Sequence, residues 1–107
     1  MPPIADKAEV AIDFPDKLYM GDFGRDCALE ARADGEGVLI RLVRPGDDKR
    51  IAGIHLHHFL FANVLDELAR SLAEREPIDK LHREPLLNAA RSLMAALERA
   101  PVPSPAG

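Results

Sequence analysis

The sequence predicts an α+β domain in which a four-stranded antiparallel sheet is followed by an amphipathic helix packed on it, a ββββα order, with a second helix toward the C-terminus. Three observations between Cys27 and Leu72 carry this expectation. Three short runs alternate apolar and polar residues with the period of a strand. Glycine-containing turns separate those runs, and directly after the third the apolar period lengthens to three and four residues, that of a helix.

The first run, Cys27–Ala33, places Ala28, Glu30 and Arg32 on one side and Leu29 and Ala31 on the other. Asp34-Gly35-Glu36-Gly37 breaks it, and Asp-Gly is expected to supply the positive φ of a tight hairpin turn. Val38–Arg44 then returns antiparallel, rich in β-branched and aliphatic residues. A second turn over Arg44–Arg50 contains Pro45-Gly46, in which proline presets φ and glycine follows, as a type II turn prefers. Ile51–Leu56 is the third strand. From about His57, Leu60, Phe61, Val64, Leu65, Leu68 and Leu72 form a greasy stripe, while Asn63, Asp66, Glu67, Arg70 and Glu74 fall between them. A helix with such a face is expected to lie on the sheet. The fourth strand is expected before Cys27 at Lys17–Met20, with Glu9–Phe14 an alternative that also alternates.

Four segments follow from this reading. Residues 1–16 form an acidic N-terminal arm or extra strand, 17–74 the ββββα core, 75–100 a C-terminal helical extension and 101–107 a disordered proline-rich tail. In the extension, Arg75-Glu76-Pro77 and Arg83-Glu84-Pro85 repeat a tripeptide, and each proline is expected in the first turn of a helical piece. Leu86, Ala90, Leu93 and Leu97, flanked by Leu87 and Met94, line one side of the second piece. Such a stripe suits packing on another helix, either of the same domain or of a second subunit.

At 107 residues, 47% apolar and 30% charged, the chain reads as one soluble domain small enough to benefit from self-association. No apolar run approaches the ~20 residues of a membrane span, and Met1–Asp6 lacks the basic start and apolar core of a signal peptide, so a cytoplasmic location is expected. The single cysteine, Cys27, excludes an internal disulfide and any zinc motif built on paired cysteines, and reads as a small buried strand residue. Net charge is −4, and it is unevenly placed: residues 1–16 carry Asp6, Glu9, Asp13 and Asp16 against Lys7 alone. Residues 17–58 are neutral, with seven acids and seven bases, so Arg25, Arg32, Arg41, Arg44, Lys49 and Arg50 form a basic patch only if the strands bring them together.

One cluster invites a chemical reading. In His55-Leu56-His57-His58, His55 and His57 point to the same face of a strand, a geometry that suits two imidazoles on one metal. Two ligands are not a site, and a third, from His58, His82 or a carboxylate, stands at no spacing that demands it; the expectation is therefore no metal and no cofactor. The competing role is to satisfy backbone groups at the start of the helix, where no Ser, Thr or Asp cap stands. G-x-S-x-G, a phosphate-cradling glycine loop and H-E-x-x-H are all missing, and Asp47-Asp48 and Asp66-Glu67 are adjacent acids that point apart. No enzymatic activity is expected.

The order of these elements resembles a family. Cys27–Arg32, then Gly35-Glu36-Gly37-Val38-Leu39-Ile40-Arg41-Leu42, the charged turn Gly46–Arg50, Ile54-His55-Leu56 and a helix look like the PUR repeat, over roughly residues 17–74. PUR repeats, and the similar positive-cofactor-four and Whirly domains, are built from four antiparallel strands and a helix, pair into dimer-like units and bind single-stranded DNA or RNA across the sheet. The resemblance implies that Arg32 and Arg41 contact phosphates, that Lys49 and Arg50 assist from the second turn, and that Tyr19 and Phe23 are the stacking platforms. It also implies a homodimer. The competing expectation is a dimeric protein-interaction module of the same fold without nucleic-acid affinity.

Overall fold

The computed structural model describes residues 2–47, 49–74 and 78–101. Among the described residues five strands precede two helices: β1 (Ala8–Phe14), β2 (Lys17–Phe23), β3 (Ala28–Ala33), β4 (Gly37–Arg44), β5 (Arg50–His57), α1 (His58–Glu74) and α2 (Lys80–Arg99). The chain divides into two units, Met1–Ala69 and Arg70–Gly107. The class is α+β, as expected. The four-stranded sheet is not found: the strands form two antiparallel sheets, a β1–β2 hairpin and a β3–β4–β5 sheet.

The departure has a local cause. Both candidates for the fourth strand are strands, and they satisfy each other, with Phe14 opposite Lys17, Ile12 opposite Tyr19 and Val10 opposite Gly21 around the Pro15-Asp16 turn. Phe14 and Tyr19 add an edge-to-face ring contact at 5.9 Å between centroids, the diagonal cross-strand pairing that stabilises a hairpin. Ahead of β1, the Ile4 N–H donates to the Cys27 carbonyl (3.1 Å) and the Leu29 N–H to that of Pro2 (2.8 Å), so residues 2–4 shield the first part of the β3 edge.

In the three-stranded sheet the register sorts side chains by chemistry. Leu29, Ala31 and Ala33 of β3, Val38, Ile40 and Leu42 of β4, and Ala52, Ile54 and Leu56 of β5 share one face, which is wholly apolar along these rows. Val10 and Ile12 of the β1–β2 hairpin line a cleft of about 300 Å³ with Ile40, Leu42, Ala52 and Ile54 of this face. Among the described residues, Phe23 and Cys27 are the buried apolar ones, each 3% exposed.

The turns differ in mechanism. Gly46 has φ = +107°, the left-handed conformation that Pro45-Gly46 predicts. Gly35 does not take a positive φ. Its turn is held by a side chain instead: Asp34 Oδ1 accepts the backbone N–H groups of Glu36 (2.8 Å) and Gly37 (2.9 Å), the local bonding that makes Asp a turn former.

The helix α1 does not lie on the sheet. It begins at His58, the residue after β5 ends, and with no connecting residues the chain has no room to reverse. No residue of α1 is buried, and Leu60, Leu65, Leu68 and Leu72 are at least a third exposed. Its first turn has a cap of another kind, since the His58 N–H donates to the Glu36 carbonyl at 3.2 Å.

In the second unit, α2 starts at Lys80, so Pro85 lies inside the helix and not in its first turn as expected. Lacking an N–H, Pro85 leaves the Leu81 carbonyl without its helical donor. The start is set by Asp79, whose side chain accepts the His82 N–H at 3.0 Å and contacts His82 Nδ1 at 2.6 Å. Arg83 reaches back to the Ile78 carbonyl. Arg75-Glu76-Pro77 and Val102–Gly107, and with them the expected first proline start and nearly all of the expected disordered tail, lie outside the described residues. Among the described residues no helix is long and apolar enough to cross a membrane.

The Asp79 carboxyl is held below the usual aspartate range, chiefly by the His82 backbone N–H and next by the His82 ring. A lowered folded-state value means that its stabilisation is complete above the unfolded value and is lost as pH falls through the folded one. The His82 and Arg83 amide NMR signals are therefore expected to shift with a common midpoint below the ordinary aspartate range of about 3.9, and Asp79→Asn is expected to remove that step. A midpoint at the ordinary value would contradict the capping geometry.

Candidate functional site

The second face of the β3–β4–β5 sheet is the polar one. Its cross-strand rows are Ala28–Val43–Ile51, Glu30–Arg41–Gly53 and Arg32–Leu39–His55, and beyond them Gly37 stands opposite His57. Arg32 and Arg41, on adjoining strands, share this face. Arg41 Nη1 lies 3.3 Å from Glu30 Oε1, with both side chains partly shielded, so one of the two cations is already paired across the strands. Gly53 matters here: a Cβ built on it would approach Arg41 Cγ to 3.2 Å, so the glycine leaves the arginine stem room to lie over β5. Arg32 is exposed.

The hairpin end of the face is denser. Asp34 Oδ2 lies 3.2 Å from His55 Nε2, an ion pair when the imidazole is protonated. The Asp34 carboxyl is held below its usual range, first by the backbone N–H groups of Glu36 and Gly37 and then by His55. His55 and His57 sit 5.2 Å apart between ring centroids, their planes inclined at 57°. Glu36, His55 and His57 each offer a ligating atom, and these atoms lie within 4.8 Å of one another.

The other expected site residues fall elsewhere. Arg50 begins β5 opposite Arg44, at the far end of the sheet, with Lys49 preceding it in the turn; by strand alternation Arg44 and Arg50 extend the apolar rows, not the polar face. Tyr19 is half exposed, and it lines a cleft of about 440 Å³ between the β1–β2 hairpin and β5 together with Arg50 and Ile51. Phe23 is buried, which makes its ring part of the core and not a stacking surface. His82 belongs to the Asp79 cap of α2.

Asp34 and Glu36 are the residues that sequence reasoning overlooked. The signal was the hairpin count: once the turn spans residues 34–37 and Ala33 pairs with Val38, antiparallel pairing carries His57 to Gly37 and brings the neighbouring Glu36 beside the two histidines. No protein-family model, curated protein or solved structure matches the chain.

Proposed function

We propose that the chain is a homodimeric module that binds single-stranded nucleic acid across the polar face of β3–β4–β5. The observation that carries the reading is the sorting of the sheet: its rows are apolar on one face and hold Arg32, Arg41, His55 and His57 on the other. A binding role suits a face of cations and imidazoles, and among the described residues no polar or charged one is buried. Dimerisation suits a chain in which, among the described residues, Phe23 and Cys27 are the buried apolar ones while Leu60, Leu65, Leu68 and Leu72 of α1 are at least a third exposed. Fully burying one such side chain is worth ~1.5–3 kcal/mol, so a second copy has a large gain to offer. Closed two-fold pairs are the commonest way for a single surface to be covered by itself.

Fluorescence anisotropy with labelled single-stranded oligonucleotides tests the nucleic-acid half. Affinity is expected to fall steeply as salt rises, by a log–log slope of ~0.7 per neutralised phosphate. Arg32→Glu is expected to weaken binding to all sequences alike and to flatten that slope, since a phosphate contact carries no base information. No binding at low salt would remove the reading. A second reading has its own support: the Arg41–Glu30 pair and the net charge of −4 both favour a dimeric protein-interaction module without nucleic-acid affinity. That module predicts the dimer and no oligonucleotide binding.

A further inference from the structure

We propose that Glu36, His55 and His57 form a binding site for a borderline divalent transition-metal ion, represented by Zn²⁺. Such a site would take its ion whether or not the chain binds nucleic acid. Two imidazoles and one carboxylate are a donor set that zinc accepts with three protein ligands and an open position, whereas Ca²⁺ and Mg²⁺ favour oxygen alone.

The placement follows from the backbone. His55 and His57 alternate onto one face of β5, and the residue opposite His57 is Gly37, which contributes no side chain to crowd it. Glu36 is tethered at both ends of its peptide: its N–H is held by Asp34 Oδ1 at 2.8 Å and its carbonyl accepts the His58 N–H at 3.2 Å. The carboxylate therefore starts from a fixed point beside the two rings.

The ligating atoms lie within 4.8 Å of one another. Around a tetrahedral zinc with bonds of about 2.0–2.1 Å they would be ~3.3 Å apart. All three side chains are exposed, so rotation about their own bonds closes that gap without moving the strands.

Asp34 supplies an independent observation. Its Oδ2 at 3.2 Å from His55 Nε2 is the outer carboxylate that commonly orients a metal-binding histidine. With Nε2–H donating to Asp34, Nδ1 of His55 keeps the lone pair for the ion. The same carboxylate that builds the hairpin turn also sets the tautomer of one ligand. Asp34 is thus a positioning residue and Glu36, His55 and His57 are the ligands.

The test is isothermal titration of tag-free, chelator-stripped full-length protein with Zn²⁺, with Co²⁺ absorption as a second readout. One ion per chain is expected, together with a rise in thermal midpoint on adding Zn²⁺. Glu36→Gln and His57→Gln are each expected to weaken binding at least tenfold and to abolish the rise. Asp34→Asn is expected to weaken it by ~10–100-fold, as loss of an outer carboxylate does. Glu36→Gln leaves every backbone bond of the turn in place, so its loss of binding would not be a folding defect. His82→Gln, on α2, is expected to leave the zinc affinity and stoichiometry unchanged. No saturable binding, or equal affinity in Glu36→Gln and the parent protein, would overturn the site.

Discussion

A chain carrying Leu60→Glu and Leu68→Glu is expected to lose the dimer and, with it, most of its stability. Both residues lie on one stripe of α1 and are 51% and 54% exposed in the single chain. If that surface stays in water, the two substitutions cost little, since exposed changes of this kind fall within about ±0.5 kcal/mol. If it is buried against a second copy, each lost leucine removes about 2 kcal/mol. A symmetric pair counts each change twice, so dimer dissociation should strengthen by roughly 10⁵-fold or more at 1.4 kcal/mol per decade. The wide gap between the two outcomes makes the experiment decisive. Sedimentation equilibrium should find the parent protein at twice its 11.7 kDa chain mass and the variant at once that mass. The parent thermal midpoint should also rise with protein concentration, as it must where folding and association are linked. Asn63→Glu, on the polar side of α1, should do neither. A parent that is strictly monomeric at every concentration would end the dimer reading.

The strands from Ala28 to His57 and the helix after them were legible in the sequence, because alternation, turn residues and the change of period agree with one another. Boundaries fell within a residue or so: Val38–Arg44 was expected and Gly37–Arg44 is found. Pairing was less legible. Lys17–Met20 and Glu9–Phe14 each looked like a lone fourth strand, and the possibility that each is the other's partner lies in the two-residue turn Pro15-Asp16, not in either strand's own pattern. The position of α1 was illegible for another reason. Helical periodicity reports that an apolar stripe exists and says nothing of what covers it, and the absence of a linker between His57 and His58 was the cue that the helix does not fold back. For α2, proline's tolerance in a first helical turn points to Pro85 lying there, whereas the capping signal at Asp79 sets the start and puts Pro85 beyond the first turn.

The site was legible in pieces. Arg32 and Arg41 follow from alternation on neighbouring strands, and their common face needs only the register of one hairpin. Glu30 falls on the Arg32 side of its strand by the same alternation and its charge enters the neutral count of the segment; what the register adds is that its partner is Arg41. His55 and His57 were seen as a pair in search of a third ligand. Glu36 lies some twenty residues earlier, and only the fold of the turn brings it near. Linear spacing misses such a carboxylate because the chain reverses between the ligands. Phe23 shows the opposite failure: an aromatic at a strand end reads equally well as platform or core, and burial alone separates the two.

The same turn sets up the second large effect. Gly37→Ala is expected to destabilise the protein by roughly 3 kcal/mol, with a fall in thermal midpoint of about 12–24 °C for a domain of this size. A Cβ built on Gly37 would run into the Leu56 carbonyl oxygen and stand 2.7 Å from His57 Cα, both backbone atoms of the neighbouring strand. Neither is the end of a flexible side chain. Relief would require β4 and β5 to separate where the Asp34 N–H meets the Gly37 carbonyl at 2.8 Å and the His58 N–H meets that of Glu36. The start of α1 and the Glu36 tether would be disturbed together. Gly35, two residues earlier, is the internal control. A Cβ there meets nothing within 4 Å, and its φ is not positive. Gly35→Ala should therefore be neutral or stabilising by up to about 1 kcal/mol, because alanine restricts the unfolded chain at no cost to the folded one. Gly46 separates the two causes: a Cβ there also meets open space, yet its φ of +107° makes alanine strained. Urea unfolding of the three variants should rank them Gly35→Ala, Gly46→Ala, Gly37→Ala from most to least stable, and a Gly37→Ala protein as stable as its parent would show that the close passage of β5 past this turn is not kept in solution.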